Sequence, residues 1–253
     1  MTVPAVPLPQ PDATPPPGER DLWPRPEDYP NVDELVIEDG KPVDGIFSEK
    51  QLRLLTEPPH SCWTGPGEGQ PFVVMANVGV FHTAKQPPIV PDVLLAVGVQ
   101  QGNLQVRENR TYIVWLRGKV PDVAIEIVSN REGGEDTDKL RIYARIGVPY
   151  YAIFDPDNLL GRGVLRVYKL SARTYEPLAP PYSFAEVGLG VVLWTGRYED
   201  FETTWLRWCD RDGQLIPTGA EQLAEERQAR ERAQQEIEQL KAKLRQLGVE
   251  PPS

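Results

Sequence analysis

Through the middle of the chain, apolar residues come in short runs separated by polar and glycine-containing breaks. PFVVMANVGVF at 71–81, VPDVLLAVGV at 90–99, TYIVWL at 111–116 and DVAIEIVS at 122–129 are rich in Val, Ile and aromatic residues and predict strands. Several place apolar residues on consecutive positions, as central strands covered on both faces do. After a loop at 130–136 that holds two glycines, a helix is expected at about 137–146, capped by Asp136 or Thr137 and stopped by Gly147 and Pro149. YYAIF at 150–154 predicts another strand, ended by Asp155-Pro156-Asp157. Residues 164–170 and 174–178 predict a hairpin, and 189–194 and 203–209 further β structure. Three strands, a helix and another strand in that order predict an α/β (α+β) fold, a mixed sheet with helices on at least one face.

The two ends follow other patterns. Ten of the 27 prolines lie between Pro4 and Pro30, and Pro15-Pro16-Pro17 favours polyproline II, so 1–30 is expected to be a disordered arm outside the core. Residues 221–247 hold six glutamates and six Lys or Arg, with no Gly or Pro until Gly248. Within them Ile237, Leu240, Leu244 and Leu247 recur at spacings of three, four and three, and Leu223 and Ala233 extend the seam, although Glu226 and Arg230 interrupt it. A long amphipathic, coiled-coil-like helix is predicted, with homodimerisation through it as the expectation and folding back onto its own domain as the alternative. The expected organisation is an arm at 1–30, one domain at 31–218 and a helical tail at 219–253.

Composition narrows the class. With 253 residues, 40% of them hydrophobic, the chain is long enough and apolar enough for a folded core. No apolar run approaches the roughly 20 residues of a membrane helix, and the best, at 90–99, carries Asp92. The proline-rich start lacks the basic-then-apolar order of a secretory signal. Two cysteines, Cys62 and Cys209, are too few for a disulfide scaffold, so a cytoplasmic protein is expected. The formal net charge is −10, but residues 1–60 carry twelve acids against five bases, which leaves the folded middle near neutral. That matters for any partner with a phosphate backbone.

The chemistry-bearing residues are mainly acidic. Asp92 follows Pro91 at the start of a strand, and Glu126 interrupts the apolar run Val123-Ala124-Ile125-Glu126-Ile127-Val128. A carboxylate there is costly to desolvate unless it is paired, hydrogen-bonded or bound to a cation. Lys139 lies thirteen residues after Glu126, across one loop, within reach of the strand end. By contrast, His60, Cys62, His82 and Cys209 lack the paired spacing of a zinc site. The glycines at 65–69 and 133–134 lack the turn-to-helix lysine ending of a nucleotide-binding loop. The six tryptophans (Trp23, Trp63, Trp115, Trp194, Trp205, Trp208) are scattered and read as packing residues. Arg107, Arg110, Arg117, Lys119, Arg131, Arg141 and Arg145 cluster in sequence around the strand–helix block and could meet a phosphate backbone.

Pro91-Asp92, Glu126-Ile127-Val128-Ser129, Asp138-Lys139-Leu140, Tyr143-Ala144, Gly147-Val148-Pro149-Tyr150-Tyr151 and Phe154-Asp155-Pro156 together resemble the Uma-two-type restriction-endonuclease family, a branch of the PD-(D/E)XK nuclease superfamily. The resemblance spans roughly residues 32–208. It implies a restriction-endonuclease-like mixed sheet flanked by helices and a Mg²⁺-dependent DNA endonuclease, with Mn²⁺ as a substitute metal. Asp92 would match the acid of the PD element and Glu126 the acid of the (D/E)XK element, both as metal ligands. Val128 stands where the motif has lysine, and the branch resemblance moves that lysine to Lys139. A further acid from the first helix, Glu49 in Ser48-Glu49-Lys50-Gln51-Leu52, would complete the catalytic set. The alternative function is a non-catalytic interaction protein that keeps the nuclease fold and works through its C-terminal helix.

Overall fold

A computed structural model of the protein describes residues 45–246 apart from 68, 85 and 130–133. The proline-rich arm at 1–30, the start of the 31–218 unit, Arg131 and Leu247 of the tail seam lie outside the described residues. The elements are α1 (Ile46–Cys62), β1 (Phe72–Ala76), β2 (Val80–Phe81), β3 (Val93–Val97), β4 (Tyr112–Ile113), α2 (Val114–Arg117), β5 (Val123–Ile127), α3 (Leu140–Ile146), β6 (Tyr150–Phe154), β7 (Leu165–Ser171), β8 (Thr174–Pro177), β9 (Tyr182–Phe184), β10 (Leu189–Tyr198), β11 (Phe201–Cys209) and α4 (Gly219–Gln246).

Six strands form the main sheet in the order β1-β3-β5-β6-β7-β8. Only β5 and β6 pair in parallel, joined through α3; the other neighbours are antiparallel. A three-stranded sheet, β11-β10-β9, and the short pair β2-β4 complete the β structure of the described residues. This is a restriction-endonuclease-like mixed sheet flanked by helices, with a long C-terminal helix. Among the described residues no helix is long and apolar enough to cross a membrane.

The consecutive apolar runs arise because both faces of the main sheet are covered. Val93, Leu95, Val123, Ile125, Ile127, Tyr150, Ala152 and Phe154 point to one face, where α1 (Leu52, Leu55) and β9–β11 (Phe184, Leu189, Leu206, Trp208) pack. Leu94, Ala96, Ala124, Tyr151 and Ile153 point to the other, against Tyr143, Ala144 and Ile146 of α3. Burying residues of this size stabilises by roughly 1.5–3 kcal/mol each. Trp205 and Trp208 lie fully inside, as their reading as packing residues requires.

Three local expectations are corrected. The run at 71–81 is two strands, because Asn77 takes a left-handed conformation (φ 54°) that cannot continue a pleat. Its second half, β2, leaves the main sheet and pairs in parallel with β4. The run at 111–116 is strand for two residues only, since β2 offers no longer partner. Val114–Arg117 then makes one helical turn, closed by Gly118 (φ 73°) donating to the Val114 carbonyl at 2.9 Å. Finally, the helix expected at 137–146 begins two residues earlier, as a π-helical turn at Glu135–Lys139 running into α3. Gly134 (φ 68°), not Asp136 or Thr137, leads into it, and no side chain caps it. Its end is as expected: Gly147 (φ 92°) donates to the Tyr143 carbonyl at 3.0 Å.

The tail helix α4 is attached at its root and bare beyond it. Arg207 of β11, only 2% exposed, is gripped at its two terminal nitrogens by Glu221 at 2.8 and 2.6 Å. Gly219 donates to Glu57 of α1 at 3.0 Å. No residue of α4 is buried, and Leu223, Ile237 and Leu240 stay 47, 45 and 53% exposed. Over its described length α4 does not fold back onto the domain.

Candidate active site

The acids sit where the sheet's chain order brings neighbouring strand ends together. Val93 pairs with Ile125, so one residue further on Asp92 falls opposite Glu126. The backbone N–H of Ile127 fixes the Asp92 carboxylate, donating to its Oδ2 at 2.6 Å. Glu126 alternates with Ile125 and Ile127 and therefore points to the face that α3 covers. Its side chain is wholly buried. Two donors from the helix hold it: Tyr143 Oη at 2.6 Å on Oε1 and Lys139 Nζ at 2.9 Å on Oε2. Asp92, Glu126 and Lys139, proposed from sequence as one set, lie together in the structure.

Burial dominates the electrostatics of this cluster. Desolvation, reinforced by the neighbouring Asp92 charge, pushes the Glu126 carboxyl up to about 8, against the opposing pull of Lys139 and Tyr143. Asp92 is also raised, mainly by burial, although the Ile127 N–H and Lys139 favour its charged form. Burial disfavours the Lys139 ammonium, but Glu126, Glu135 and Asp92 outweigh it and leave the group above its ordinary value. Two neighbouring carboxyls that burial and mutual repulsion hold back from ionising are a pair whose charged form a cation would stabilise.

Two members of the site escaped the sequence reading. Glu135, 6% exposed, faces Lys139 Nζ at 3.4 Å through Oε1, while its Oε2 is buried without a hydrogen-bond partner. The π-helical turn that carries it is pinned by Tyr151, whose hydroxyl donates to the Glu135 carbonyl at 2.8 Å. Such turns recur at functional sites because they aim side chains that a regular helix would point elsewhere. Tyr143, fully buried, is the other: it stands within the family resemblance, which gives it no role at the site. The available signal was spacing: Glu135, Lys139 and Tyr143 are four apart and share one side of the helical segment.

Glu49 does not join the group. It rides on α1, whose Leu52 and Leu55 pack on the opposite face of the sheet from Glu126 and α3. Its carboxylate pairs with Arg53 at 2.7 Å, and Arg53 and Lys50 both reach Glu199 at 2.6 Å. Glu199 and the next residue, Asp200, have positive φ (44° and 66°) in the turn between β10 and β11, so Glu49 belongs to a surface network that docks this hairpin on α1. Asp155, in the block that carries the family resemblance, is structural: it accepts the N–H groups of Leu159 and Leu160 at 2.8 and 2.9 Å and shapes the turn after β6.

The basic residues divide in the same way. Lys119 is tied to Asp122 and the Val97 carbonyl, and Arg110 and Arg117 to loop carbonyls. Arg141 remains 76% exposed. Nearer the site are Arg162 and Arg166, which both contact Asp136 of the π-helical turn, at 3.4 and 3.5 Å. Arg166 lies in the same cross-strand row as Glu126, through Ile153 between them.

Mg²⁺ normally takes one or two protein carboxylates and completes its shell with water and substrate phosphate. Asp92 and Glu126 fit that donor set. Among the described residues no group of three or more His, Cys, Asp or Glu side chains is placed to enclose a metal ion.

A comparison with protein-family models matches residues 26–187 to Uma2, described as "Putative restriction endonuclease". Comparisons with curated proteins and with solved structures found no match. The family match contains the whole Asp92–Glu126–Lys139 cluster and stops at Val187, before β10, β11 and α4. Matched over more than half its length, the chain belongs to the Uma2 restriction-endonuclease family.

Proposed function

We propose that the protein is a Mg²⁺-dependent DNA endonuclease that hydrolyses phosphodiester bonds at Asp92, Glu126 and Lys139. The observation that carries this reading is the convergence of a half-buried and a fully buried carboxylate on neighbouring strand ends with one lysine 2.9 Å from the buried acid.

Asp92 and Glu126 would hold the metal, with Mn²⁺ as a substitute. When bound, the ion supplies Lewis-acid chemistry: it lowers the pKa of the attacking water and neutralises charge on the phosphoryl oxygens. The chain's own residues do the rest. The Ile127 N–H sets the orientation of Asp92, and Tyr143 holds one oxygen of Glu126 so that the other faces Lys139. Lys139 supplies a positive charge beside the reacting phosphate, worth on the order of a hundredfold in rate if lost. Arg162, exposed at the rim, is suited to a neighbouring backbone phosphate.

Cleavage of plasmid DNA by the purified protein, with and without Mg²⁺, tests the reading. Asp92→Asn and Glu126→Gln are expected to abolish cleavage, and added Mg²⁺ should no longer raise their melting temperature. Lys139→Ala should keep the metal response and lose roughly a hundredfold in rate. If Glu126→Gln cleaves like the parent, or Mg²⁺ stabilises both equally, the assignment is wrong.

A further inference from the structure

Each oxygen of Glu126 already accepts a hydrogen bond. Tyr143 occupies Oε1 at 2.6 Å and Lys139 occupies Oε2 at 2.9 Å, both inside a site where the acid is wholly buried. A cation on Oε2 would stand beside the Lys139 ammonium, 2.9 Å from the same oxygen, and like-charge repulsion would drive the ammonium off. A displaced ammonium, its side chain 27% exposed, would lose its closest counter-charge unless a second acceptor stood ready. One does. Glu135 already touches Lys139 Nζ at 3.4 Å, a long contact by the ~2.7–2.9 Å standard of charge-assisted bonds, and its other oxygen is buried and unpartnered. A buried carboxylate oxygen left without a donor is itself unfavourable, so the resting arrangement leaves Glu135 under-used.

We propose that Glu135 is a positioning residue that receives the Lys139 ammonium when Glu126 takes a metal ion, so that metal binding and the placement of Lys139 are one coupled event. The inference rests on the metal-dependent reading above and goes beyond it by naming the group that makes the exchange affordable. The four-carbon stem of lysine permits the shift without backbone movement, and Tyr151, by holding the Glu135 carbonyl at 2.8 Å, keeps the acceptor in place. Lys139 thereby stays charged and inside the site, aimed at substrate instead of buried in a pair with the metal's ligand. Glu135 touches neither substrate nor metal in this scheme.

Isothermal titration of Mg²⁺ into the full chain, as wild type, Glu135→Gln, Lys139→Met and the double variant, tests the exchange. Wild type should bind, and Glu135→Gln should weaken binding about tenfold, the scale of one charge-assisted contact. With Lys139 already replaced, Glu135→Gln should change the affinity less than about twofold, because no ammonium remains to be received. Glu135→Asp should recover most of the loss, since the lysine stem can follow a shorter acid. An equal loss with and without Lys139 would mean that Glu135 meets the metal directly, and would overturn the proposal; so would an unchanged affinity in the single variant. Failure of the wild type to bind Mg²⁺ would overturn the metal-dependent reading itself. A measurement that needs no variant accompanies these: in ¹⁵N-lysine-labelled wild type, the Lys139 ammonium resonance should move on saturation with Mg²⁺, and a stationary resonance would refute the exchange.

Discussion

Glu126 is wholly buried on β5, opposite Asp92. Its carboxyl keeps a proton up to about 8 in the folded chain, because of burial first and Asp92 second, but has an ordinary value of 4.5 when unfolded. The folded state therefore binds the extra proton between those values. Stability from this group is fully present below about 4.5 and is lost as pH rises toward 8, with a slope of at most ~1.4 kcal/mol per pH unit. Urea denaturation of the metal-free protein at pH 5, 6.5 and 8 should show that decline, and Glu126→Gln should flatten it. Parallel curves would show that burial of this acid does not control stability. Tyr143→Phe belongs to the same scale: deleting the hydroxyl 2.6 Å from Glu126 Oε1 leaves a buried acceptor short of a donor and should cost ~1–3 kcal/mol in the same assay.

Between elements, the joints that set α1 and α4 on the sheets are polar groups buried where the apolar pattern would place hydrocarbon. Gln51, fully buried on α1, pairs with β11 as a strand would: its side-chain nitrogen donates to the Leu206 carbonyl at 2.8 Å and its oxygen accepts from the Leu206 N–H at 3.0 Å. Gln51→Ala strands both backbone groups and should destabilise by ~2–4 kcal/mol, read as a lower urea midpoint. Arg207 is the second joint. It sits 2% exposed on β11, gives both terminal nitrogens to Glu221 and one of them also to the Ile216 carbonyl, and lies 4.8 Å from the Trp194 ring centre. Removing its counter-ion with Glu221→Ala leaves a buried charge behind and should cost about 3 kcal/mol. The same change should loosen the root of α4, seen as faster amide exchange in its first turn.

For the whole molecule, α4 is the element left uncovered. Its 28 residues bury no side chain, and an isolated helix is marginal in water unless its apolar stripe is covered. Pairing of Leu223, Ile237, Leu240 and Leu244 with a second copy is our proposal for that cover, and it would hold two nuclease sites together for cutting both strands of a duplex. Light scattering on the full chain should give twice the monomer mass, and a chain ending at Gly219 should give one. Monomer masses for both would sink the pairing.

The sequence by itself determined the elements whose signals are local. Strands β3, β5 and β6 and the β7–β8 hairpin fall where their apolar runs predicted, because burial on both faces writes itself into consecutive positions. Gly147 ends α3 where a left-handed residue was required. Asp92, Glu126 and Lys139 were legible because a charge inside or beside an apolar run is costly enough to be conspicuous, and because they match a family motif. The left-handed turn at Asn77 and the early start of the helical segment at Glu135 depend on contacts with other elements and left no local mark. Only the tertiary structure decided sidedness. Placing α1 on one face of the sheet and α3 on the other removed Glu49 from the site and brought Glu135 and Tyr143 into it. No local pattern encodes which face a helix will cover, since that choice is made by the packing of residues far apart in the chain.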